Sequence, residues 1–379
     1  MSGKKSPRKE EARKKYQIAI LAGDGVGGEI MRQAVKALRF IEGAAPVSFE
    51  LVEAPFGAGA WFETGKSFPD ETVKICDRAD AILKGPIGLG FEETQKIPVE
   101  ERPERGGLLP MRRRYDTYAN FRPARLPGAL AHFSPLKPEV IGDGIDFVII
   151  RELVGGVYFG KKETGVDADG RRYAHERLEY DEFQIARIAR IAFEAAMKRK
   201  KILHSIHKSN VLKSSVLWCE VVDEVGRDFP EVRVENVLVD AAATHLCIHP
   251  GMFDVMVMEN LFGDILSDQA GGVLGSLGLM PSACIGPEKA YYEPSHGSAP
   301  DIAGKNIANP YSMIGSAAMM LEMSFGMRRE AEMLWRAMQS VFMDGYSTQD
   351  LSRPGAEMTM VSTDEFGDRV VAALANGGG

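Results

Sequence analysis

Short apolar runs alternate with longer segments of helical period along this chain, and no other feature narrows its fold as far. Tyr16–Ala22 (YQIAILA) reads as a buried strand, and Glu29–Glu42 carries its apolar residues at helical spacing. Val47–Ala54 alternates as a strand does, Glu71–Ala79 predicts a helix, and Ala81–Lys84 predicts a short strand before Gly85-Pro86. Further strands are expected at Phe147–Arg151, Ile202–His207, Glu235–Val239 and Val255–Met258. Helices are expected at Tyr180–Lys200, Ser214–Asp228 and Ser312–Phe325. Strands that alternate with helices bury both faces of a sheet by laying helices on each side. The fold class is therefore α/β with a substantially parallel sheet. A chain of 379 residues is long enough for two packed domains.

Composition excludes several function classes. Hydrophobic residues at 45% and charged residues at 26% fit an ordinary soluble domain. A net charge of −7 argues against nucleic acid as a partner, and no apolar run is long enough to span a bilayer. Cys76, Cys219, Cys247 and Cys284 lie far apart without a C-x-x-C pair, which argues against zinc or disulfide frameworks and for a reducing, cytoplasmic setting. Residues 1–15 are basic and lack the apolar core of a secretory signal, so they are expected to be a disordered lead-in.

One loop is chemically loaded. His296–Pro310 (HGSAPDIAGKNIANP) sets Gly, Pro, Ser, His and Asn residues around one acid, Asp301. Such loops let backbone N–H groups approach a ligand, and a carboxylate there can accept hydrogen bonds from two ribose hydroxyls. The same carboxylate would repel a 2′-phosphate, which points to NAD rather than NADP. A loop held only by its own turns is the plainer reading. Earlier, Gly23–Gly28 (GDGVGG) fits G-x-G-x-x-G between a strand and a helix, with Glu50 and Glu53 downstream. On spacing alone this is a dinucleotide fingerprint, and a weak one.

Three further groups of residues carry charge in suggestive places. Asp264 and Asp268, in NLFGDILSD, fall on one helical face, where two acids repel each other unless a cation lies between them. Hard oxygens suit Mg²⁺ or Mn²⁺. A bare pair of this kind is usually a solvated helix face, but Leu261, Phe262, Ile265 and Leu266 give these two an apolar setting. Asp240 ends the strand-like VENVLVD, at the carboxyl edge where α/β proteins bind ligands. Arg112, Arg122 and Arg151 could together hold a di- or tricarboxylate through bidentate forks, although each alone would be solvated, as Arg113 and Arg114 are expected to be. Lys208, in HKSNVLK, follows a strand; desolvated beside a metal, it would serve as a base.

In order and spacing these pieces resemble the β-decarboxylating dehydrogenases, the family of isopropylmalate, isocitrate and homoisocitrate dehydrogenases. Arg151–Gly160 (RELVGGVYFG) is close to the family's RELTGGIYFG motif, and 296–310 is similar to its cofactor loop. GDGVGG is similar to its GDGIGPE opening, which is a structural turn and not a pyrophosphate site. The resemblance runs from Ile18 to about Asp368. It implies a two-domain fold of the isopropylmalate/isocitrate dehydrogenase type, not a Rossmann fold, with mixed, largely parallel sheets flanked by helices. Residues 16–117 and 275–379 would form a discontinuous cofactor-side domain. Residues 118–274 would form a substrate and dimerisation domain, with an arm at about 165–180.

The resemblance also implies metal-dependent, NAD-linked oxidative decarboxylation by a homodimer with shared active sites. Tyr158 would be the proton donor and Lys208 the base. Arg112, Arg122, Arg151 and Asp240 would bind substrate. Asp240, Asp264 and Asp268 would hold Mg²⁺ or Mn²⁺, with Lys208 and Asp240 crossing from the neighbouring subunit. His296, Gly297, Ser298, Ala299, Pro300, Asp301, Asn309 and Asn210 would bind NAD.

For the substrate, Leu108, Leu109 and Val211 fall where the isopropylmalate branch places an apolar pocket, and burying an isopropyl group there is worth about 2 kcal/mol. PERGGLLPMR and STDEFGD resemble that branch as well. Two features differ. His207 precedes Lys208 where that branch usually has Asp, and Arg105 lies near an acidic position that some members use against the cofactor. The expected substrate is 3-isopropylmalate, the leucine-biosynthetic member. Homoisocitrate or another 3-substituted malate, of the lysine-biosynthetic type, is the alternative. A non-catalytic subunit of the same family would have lost one of these catalytic positions, and a Rossmann-type binding module would depend on Gly25 and Gly28 rather than on Asp301.

Overall fold

The computed structural model describes residues 13–353 and 357–377. The expected lead-in lies outside the described residues up to residue 12. Lys14 and Lys15 already belong to the first strand, so there the expected disorder gives way to sheet. The strands of four or more residues are β1 (Lys14–Leu21), β2 (Val47–Glu53), β3 (Ala81–Lys84), β4 (Ala119–Pro127), β5 (Gly144–Glu152), β6 (Lys162–Val166), β7 (Arg172–Glu176), β8 (Ile202–His207), β9 (Arg233–Leu238), β10 (Val255–Met258), β11 (Pro281–Ile285) and β12 (Ala290–Pro294).

Ten of them form one sheet in the order β2-β1-β3-β12-β11-β4-β5-β10-β8-β9. The antiparallel pairings are confined to β12-β11-β4-β5, and every other neighbour is parallel. β3 (AILK) and β10 (VMVM) are buried at every position, as parallel strands covered on both faces must be. The end of the sheet from β2 to β11 is built from residues 14–84 and 281–294, and the end from β4 to β9 from residues 119–258.

The strand that joins the two ends, β4, was not foreseen. Its sequence, ANFRPARLP, contains two prolines and two arginines, which read as a loop. It pairs with β5 along its whole length but with β11 only through Ala119–Phe121. Pro123 and Pro127 therefore fall where β4 has a single neighbour, and a missing N–H is tolerated there.

Helices Gly27–Ala44, Tyr311–Met323, Arg328–Met343 and Thr363–Asn376 pack on one another beside the β1–β12 end. Helices Glu182–Met197 and Lys213–Gly226 pack together against the β5–β10–β8 end. The first of these begins with a capping box: the Asp181 side chain accepts from the Gln184 N–H at 2.8 Å, and the Gln184 side chain accepts from the Asp181 N–H at 3.2 Å. β6 and β7 form a separate, largely exposed hairpin. It spans 162–176, a few residues earlier than the arm expected at 165–180.

Candidate active site

The three arginines, each expected to be solvated if it stood alone, are all buried, at 5% (Arg112), 4% (Arg122) and 1% (Arg151) exposure. β5 delivers Arg151 near its carboxyl end, antiparallel β4 delivers Arg122 alongside it, and the helix Leu109–Tyr115 delivers Arg112. Arg151 Nη1 donates to Asp264 Oδ1 at 2.5 Å, while its Nε and Nη2 donate to Asn260 Oδ1 at 3.1 and 2.7 Å. Arg122 Nε donates to Asn120 Oδ1 at 2.8 Å and its Nη1 to Ser267 Oγ at 2.6 Å; Nη1 also lies 3.6 Å from Asp268 Oδ1. Arg112 Nε donates to the Tyr291 hydroxyl at 2.9 Å, and its guanidinium lies 3.8 Å from Glu293, which Lys84 holds at 2.6 Å. The Tyr158 hydroxyl donates to Asp264 Oδ2 at 2.7 Å. Arg113 and Arg114 are exposed as expected, but Arg114 is bidentate on Asp77.

A glycine makes this cluster possible. A Cβ on Gly263, in the helix Asn260–Leu274, would stand 2.4 Å from Cγ of Arg151. Only glycine lets the arginine lie across the helix and reach Asp264 one residue further on.

The electrostatics follow from burial and from these partners. Burial pushes the Asp264 carboxyl up, but Arg151, Arg122 and the Tyr158 hydroxyl outweigh it, and the group is held below its ordinary value. Burial pushes Asp268 above its ordinary value. Burial also brings the Arg151 guanidinium down to about 10, against the pull of Asp264. Burial, then the bond to Asp264, pushes Tyr158 up to about 12. Tyr158 is therefore a protonated donor at neutral pH.

Asp264 and Asp268 lie on one face of their helix, as their spacing requires. Arg122 is the one cation within 4 Å of Asp268 among the described residues. Two hard carboxylates, one above its ordinary value beside the other, suit Mg²⁺ or Mn²⁺, which take one or two carboxylates and complete their shell with substrate oxygens and water. Among the described residues, no three His, Cys, Asp or Glu side chains of the chain come together as a metal site.

Asp240 explains part of that gap. It does not end a strand: β9 stops at Leu238, and Asp240 lies in the first turn of the helix Val239–Ile248. The apolar VENVLVD stretch hid this boundary. Lys208 Nζ lies 2.6 Å from Asp240 Oδ1, and neither residue bonds to Asp264, Asp268, Tyr158 or the three arginines. In the order β5-β10-β8-β9, the strands that lead to Lys208 and Asp240 lie two and three places from the strand that carries Arg151. That is roughly 10 and 14 Å at the usual strand spacing. Asn210 and Val211 are exposed on the same turn as Lys208. Val211 therefore stays with Lys208, while Leu108 and Leu109 are half-buried beside Arg112. Leu108 joins the apolar cluster of Leu153 and Val154, which follow Arg151.

Three amides of the turn Gly23–Gly28 are engaged within the protein. The Asp24 N–H donates to Pro86 O at 2.8 Å, Val26 to Ser298 O at 2.9 Å, and Gly27 to Asp24 O at 2.9 Å. The Asp24 carboxylate, which sequence reasoning passed over, accepts from the N–H groups of Ala58, Gly59 and Gly88 at 2.9, 3.0 and 2.8 Å. The turn is thus a brace for the 296–310 loop. Glu29 braces the same loop further on by accepting from Gly304 N–H and, at 3.1 Å, from Asn306 N–H.

The loop groups differ in exposure and in the bonds they make. Asp301 is exposed. His296 Nδ1 lies 2.8 Å from Gly297 O, which makes Nδ1 the donor, and Nε2 is buried with no partner among the described residues. Burial lowers the His296 pKa, so the ring stays neutral and Nε2 keeps a lone pair. Asn309 is fixed by Asp350 at 3.1 Å and by the Tyr311 N–H at 3.0 Å. Glu104 Oε1, and not Arg105, lies near Gly88 and Ser298: a Cβ on Gly88 would stand 3.3 Å from it. Arg105 turns outward to Glu100 at 3.5 Å.

Comparison with known proteins places this arrangement. The profile of the isocitrate/isopropylmalate dehydrogenase family matches residues 17–370. The chain belongs to that family. A 3-isopropylmalate dehydrogenase of Aquifex aeolicus is 46% identical over 361 residues, which are 95% of this chain and 98% of that protein. Another, from Thermotoga maritima, is 46% identical over 94% of this chain and 99% of its own length. Among solved structures, an isocitrate dehydrogenase from Methylococcus capsulatus superposes with a TM-score of 0.81 at 31% identity, over 95% of this chain and 99% of that one. A β-decarboxylating dehydrogenase from Thermococcus kodakarensis gives 0.75 at 30%, over 95% and 96% of the two chains. The isocitrate/isopropylmalate dehydrogenase fold is what the sequence predicted, and the Rossmann reading of GDGVGG is set aside.

Proposed function

We propose that this protein catalyses the metal-dependent, NAD-linked oxidative decarboxylation of (2R,3S)-3-isopropylmalate to 4-methyl-2-oxopentanoate and CO₂, a step of leucine biosynthesis. The observation that carries the reading is the convergence of Arg151, Arg122 and a protonated Tyr158 on Asp264, with the charge of buried Arg112 felt by the same carboxyl. This is a site for an anionic substrate, a hard cation and a proton donor together. The near full-length likeness to proteins named 3-isopropylmalate dehydrogenase, with Leu108 and Leu109 beside Arg112, favours an apolar substituent over a third carboxylate. His207 does not favour homoisocitrate. Its ring is buried, and its Nδ1 accepts from the Ser209 N–H at 3.3 Å, so it holds its own turn.

Arg112, Arg122 and Arg151 clamp the two substrate carboxylates. Asp264 and Asp268 would hold the divalent cation, with Asp240 of a second copy as the third carboxylate. Bound metal would polarise the 2-hydroxyl and then the 2-oxo oxygen, and bound NAD⁺ would accept the hydride. Lys208 of the second copy removes the hydroxyl proton. Tyr158 delivers a proton to the carbon that has lost CO₂. His296–Asp301 and Asn309 would hold the cofactor, with Asp301 accepting from its ribose hydroxyls and Asn210 serving its nicotinamide half.

The homodimer is part of the proposal. Lys208, Asn210, Val211 and Asp240 lie apart from the rest of the site within one chain. Exposed Ile265 (59%), Ile248 (46%) and Met252 (39%) lie on or just after two helices that pack on each other next to the acids. The division of the sheet supports the discontinuous cofactor-side domain of 16–117 and 275–379 and the middle domain of 118–274. The separated cysteines fit a cytoplasmic setting, and no helix among the described residues is long and apolar enough to cross a membrane.

The test is NADH formation with Mg²⁺ and, in parallel, 3-isopropylmalate, homoisocitrate, isocitrate and D-malate. The proposal expects the highest kcat/KM with 3-isopropylmalate. A preference for homoisocitrate would refute it.

A further inference from the structure

Behind Arg151 two buried carboxylates meet at one phenol. Glu152 Oε2 lies 3.2 Å and Glu259 Oε2 3.3 Å from the Tyr180 hydroxyl, and that oxygen accepts the Asn260 N–H at 2.9 Å. Tyr180 lies between the β6–β7 arm and the helix Glu182–Met197, and the Gly156 N–H donates to the neighbouring Glu179 O at 3.1 Å. Asn260 in turn accepts from two nitrogens of Arg151 through Oδ1 and donates through Nδ2 to Gly155 O at 3.1 Å. One phenol thus stands two hydrogen bonds from the Arg151 guanidinium. The two glycines of RELVGGVY make room for it: a Cβ on Gly155 would stand 2.6 Å from Tyr180 Cε1, and one on Gly156 would stand 2.7 Å from the Tyr180 oxygen.

A phenol has one proton and two lone pairs. The Asn260 N–H takes one lone pair, and the proton can serve only one carboxylate. If both glutamates were ionised, one anion would face a lone pair across a short contact. Glu152 is the better anion, because it accepts from the N–H groups of Val154 at 2.9 Å and Gly155 at 2.8 Å. Glu259 caps the helix Asn260–Leu274 with a longer contact, from the Phe262 N–H at 3.4 Å, and with the Leu261 N–H facing it. With a proton on Glu259, every group is satisfied: Glu259 donates to Tyr180, and Tyr180 donates to Glu152. Among the described residues, Arg187 is the cation that acts on Glu152 and Arg151 the one that acts on Glu259, and neither offsets the burial that raises both carboxyls.

We propose that Tyr180 is a positioning residue for Arg151, tying the base of the arm to Asn260, and that Glu259 completes the tie as a neutral acid. The inference rests on the reading above in that Arg151 binds a substrate carboxylate.

Tyr180→Phe, Glu259→Gln and Glu259→Ala test it. Each is assayed with 3-isopropylmalate and with D-malate, which carries the same two carboxylates and hydroxyl without the substituent. Tyr180→Phe is expected to raise KM for both acids about ten-fold, the scale of one weakened charged hydrogen bond, and to leave KM for NAD unchanged. Glu259→Gln, which keeps a neutral donor, should recover most of what Glu259→Ala loses. A second readout needs no substrate. A carboxyl raised in the folded state loses its stabilising contribution as pH rises from its ordinary range through the raised value, so the Tm of the parent protein should fall over that window more than the Tm of Glu259→Gln. An unchanged KM in Tyr180→Phe, or Glu259→Gln as impaired as Glu259→Ala, overturns the inference. Turnover of D-malate but not of 3-isopropylmalate by the parent protein would overturn the substrate reading alone, and the D-malate series would still decide this one.

Discussion

The sharpest test of how this chain holds its cofactor is a pair of alanine substitutions in GDGVGG. Gly25 has φ +56°, and a Cβ there would stand 2.0 Å from Ser298 O. Forcing an alanine into the left-handed region costs about 1–2 kcal/mol, and losing the Val26 N–H bond to Ser298 costs about 1 kcal/mol more. Gly25→Ala should therefore destabilise the protein by about 2–3 kcal/mol and raise KM for NAD, because Ser298 belongs to the loop proposed to hold the cofactor. Gly28 is different. It lies in the helix Gly27–Ala44, and a Cβ there would meet nothing closer than Arg32 Nη1 at 3.9 Å. Alanine at this position should stabilise the helix by roughly 0.5–1 kcal/mol and leave KM for NAD unchanged. The assays are denaturant midpoints and NAD saturation at fixed substrate. Gly25→Ala alone does not discriminate, since either cofactor site would suffer. Gly28→Ala does: a ten-fold or larger rise in its KM for NAD would mean that the pyrophosphate lies on this turn, and the assignment to 296–310 would fall.

Asp301→Lys should move the cofactor preference toward NADP by replacing repulsion of a 2′-phosphate with attraction; an unchanged NAD/NADP ratio of kcat/KM would count against the role of Asp301. Tyr158→Phe should lower kcat by roughly 10²-fold with little change in KM. Because Tyr158 is pushed up to about 12, its proton is retained through neutral and mildly alkaline pH and lost only as pH approaches that value, so a kcat limb removed by Tyr158→Phe near neutrality would contradict its role as donor. Leu108→Ala should cost about 2 kcal/mol of transition-state binding with 3-isopropylmalate, roughly 30-fold in kcat/KM, and little with D-malate. Chelation by EDTA should abolish turnover, with Mg²⁺ or Mn²⁺ restoring it, and Asp268→Asn should need more metal for half-maximal rate.

Much of the fold was legible because buried strands and amphipathic helices write their period into the chain. β3, β8 and β10 have the boundaries the sequence predicted. β4 was not legible, since its prolines and arginines are acceptable only in a strand with one open edge and a cluster of acids nearby. The carboxylate spacing of Asp264 and Asp268 could be read along one helix. The role of Gly263 could not, because it depends on an arginine from a strand more than a hundred residues earlier. Asp24, Asn260 and Glu293 were passed over for the same reason: each acts on groups distant in sequence.

The sequence by itself determined the residue types, their order and their local periods, and with them the family and the list of charged groups. It could do so because helix faces, strand faces and motif spacing are short-range properties. Only the tertiary structure decided which groups meet. It gathers Arg112, Arg122, Arg151, Tyr158 and Asp264, sets Lys208, Asn210, Val211 and Asp240 two or three strands away, and ties the Asp24 and Val26 amides of GDGVGG to neighbouring loops. Those outcomes depend on sheet order and on contacts between segments far apart in the chain, and no local pattern encodes them.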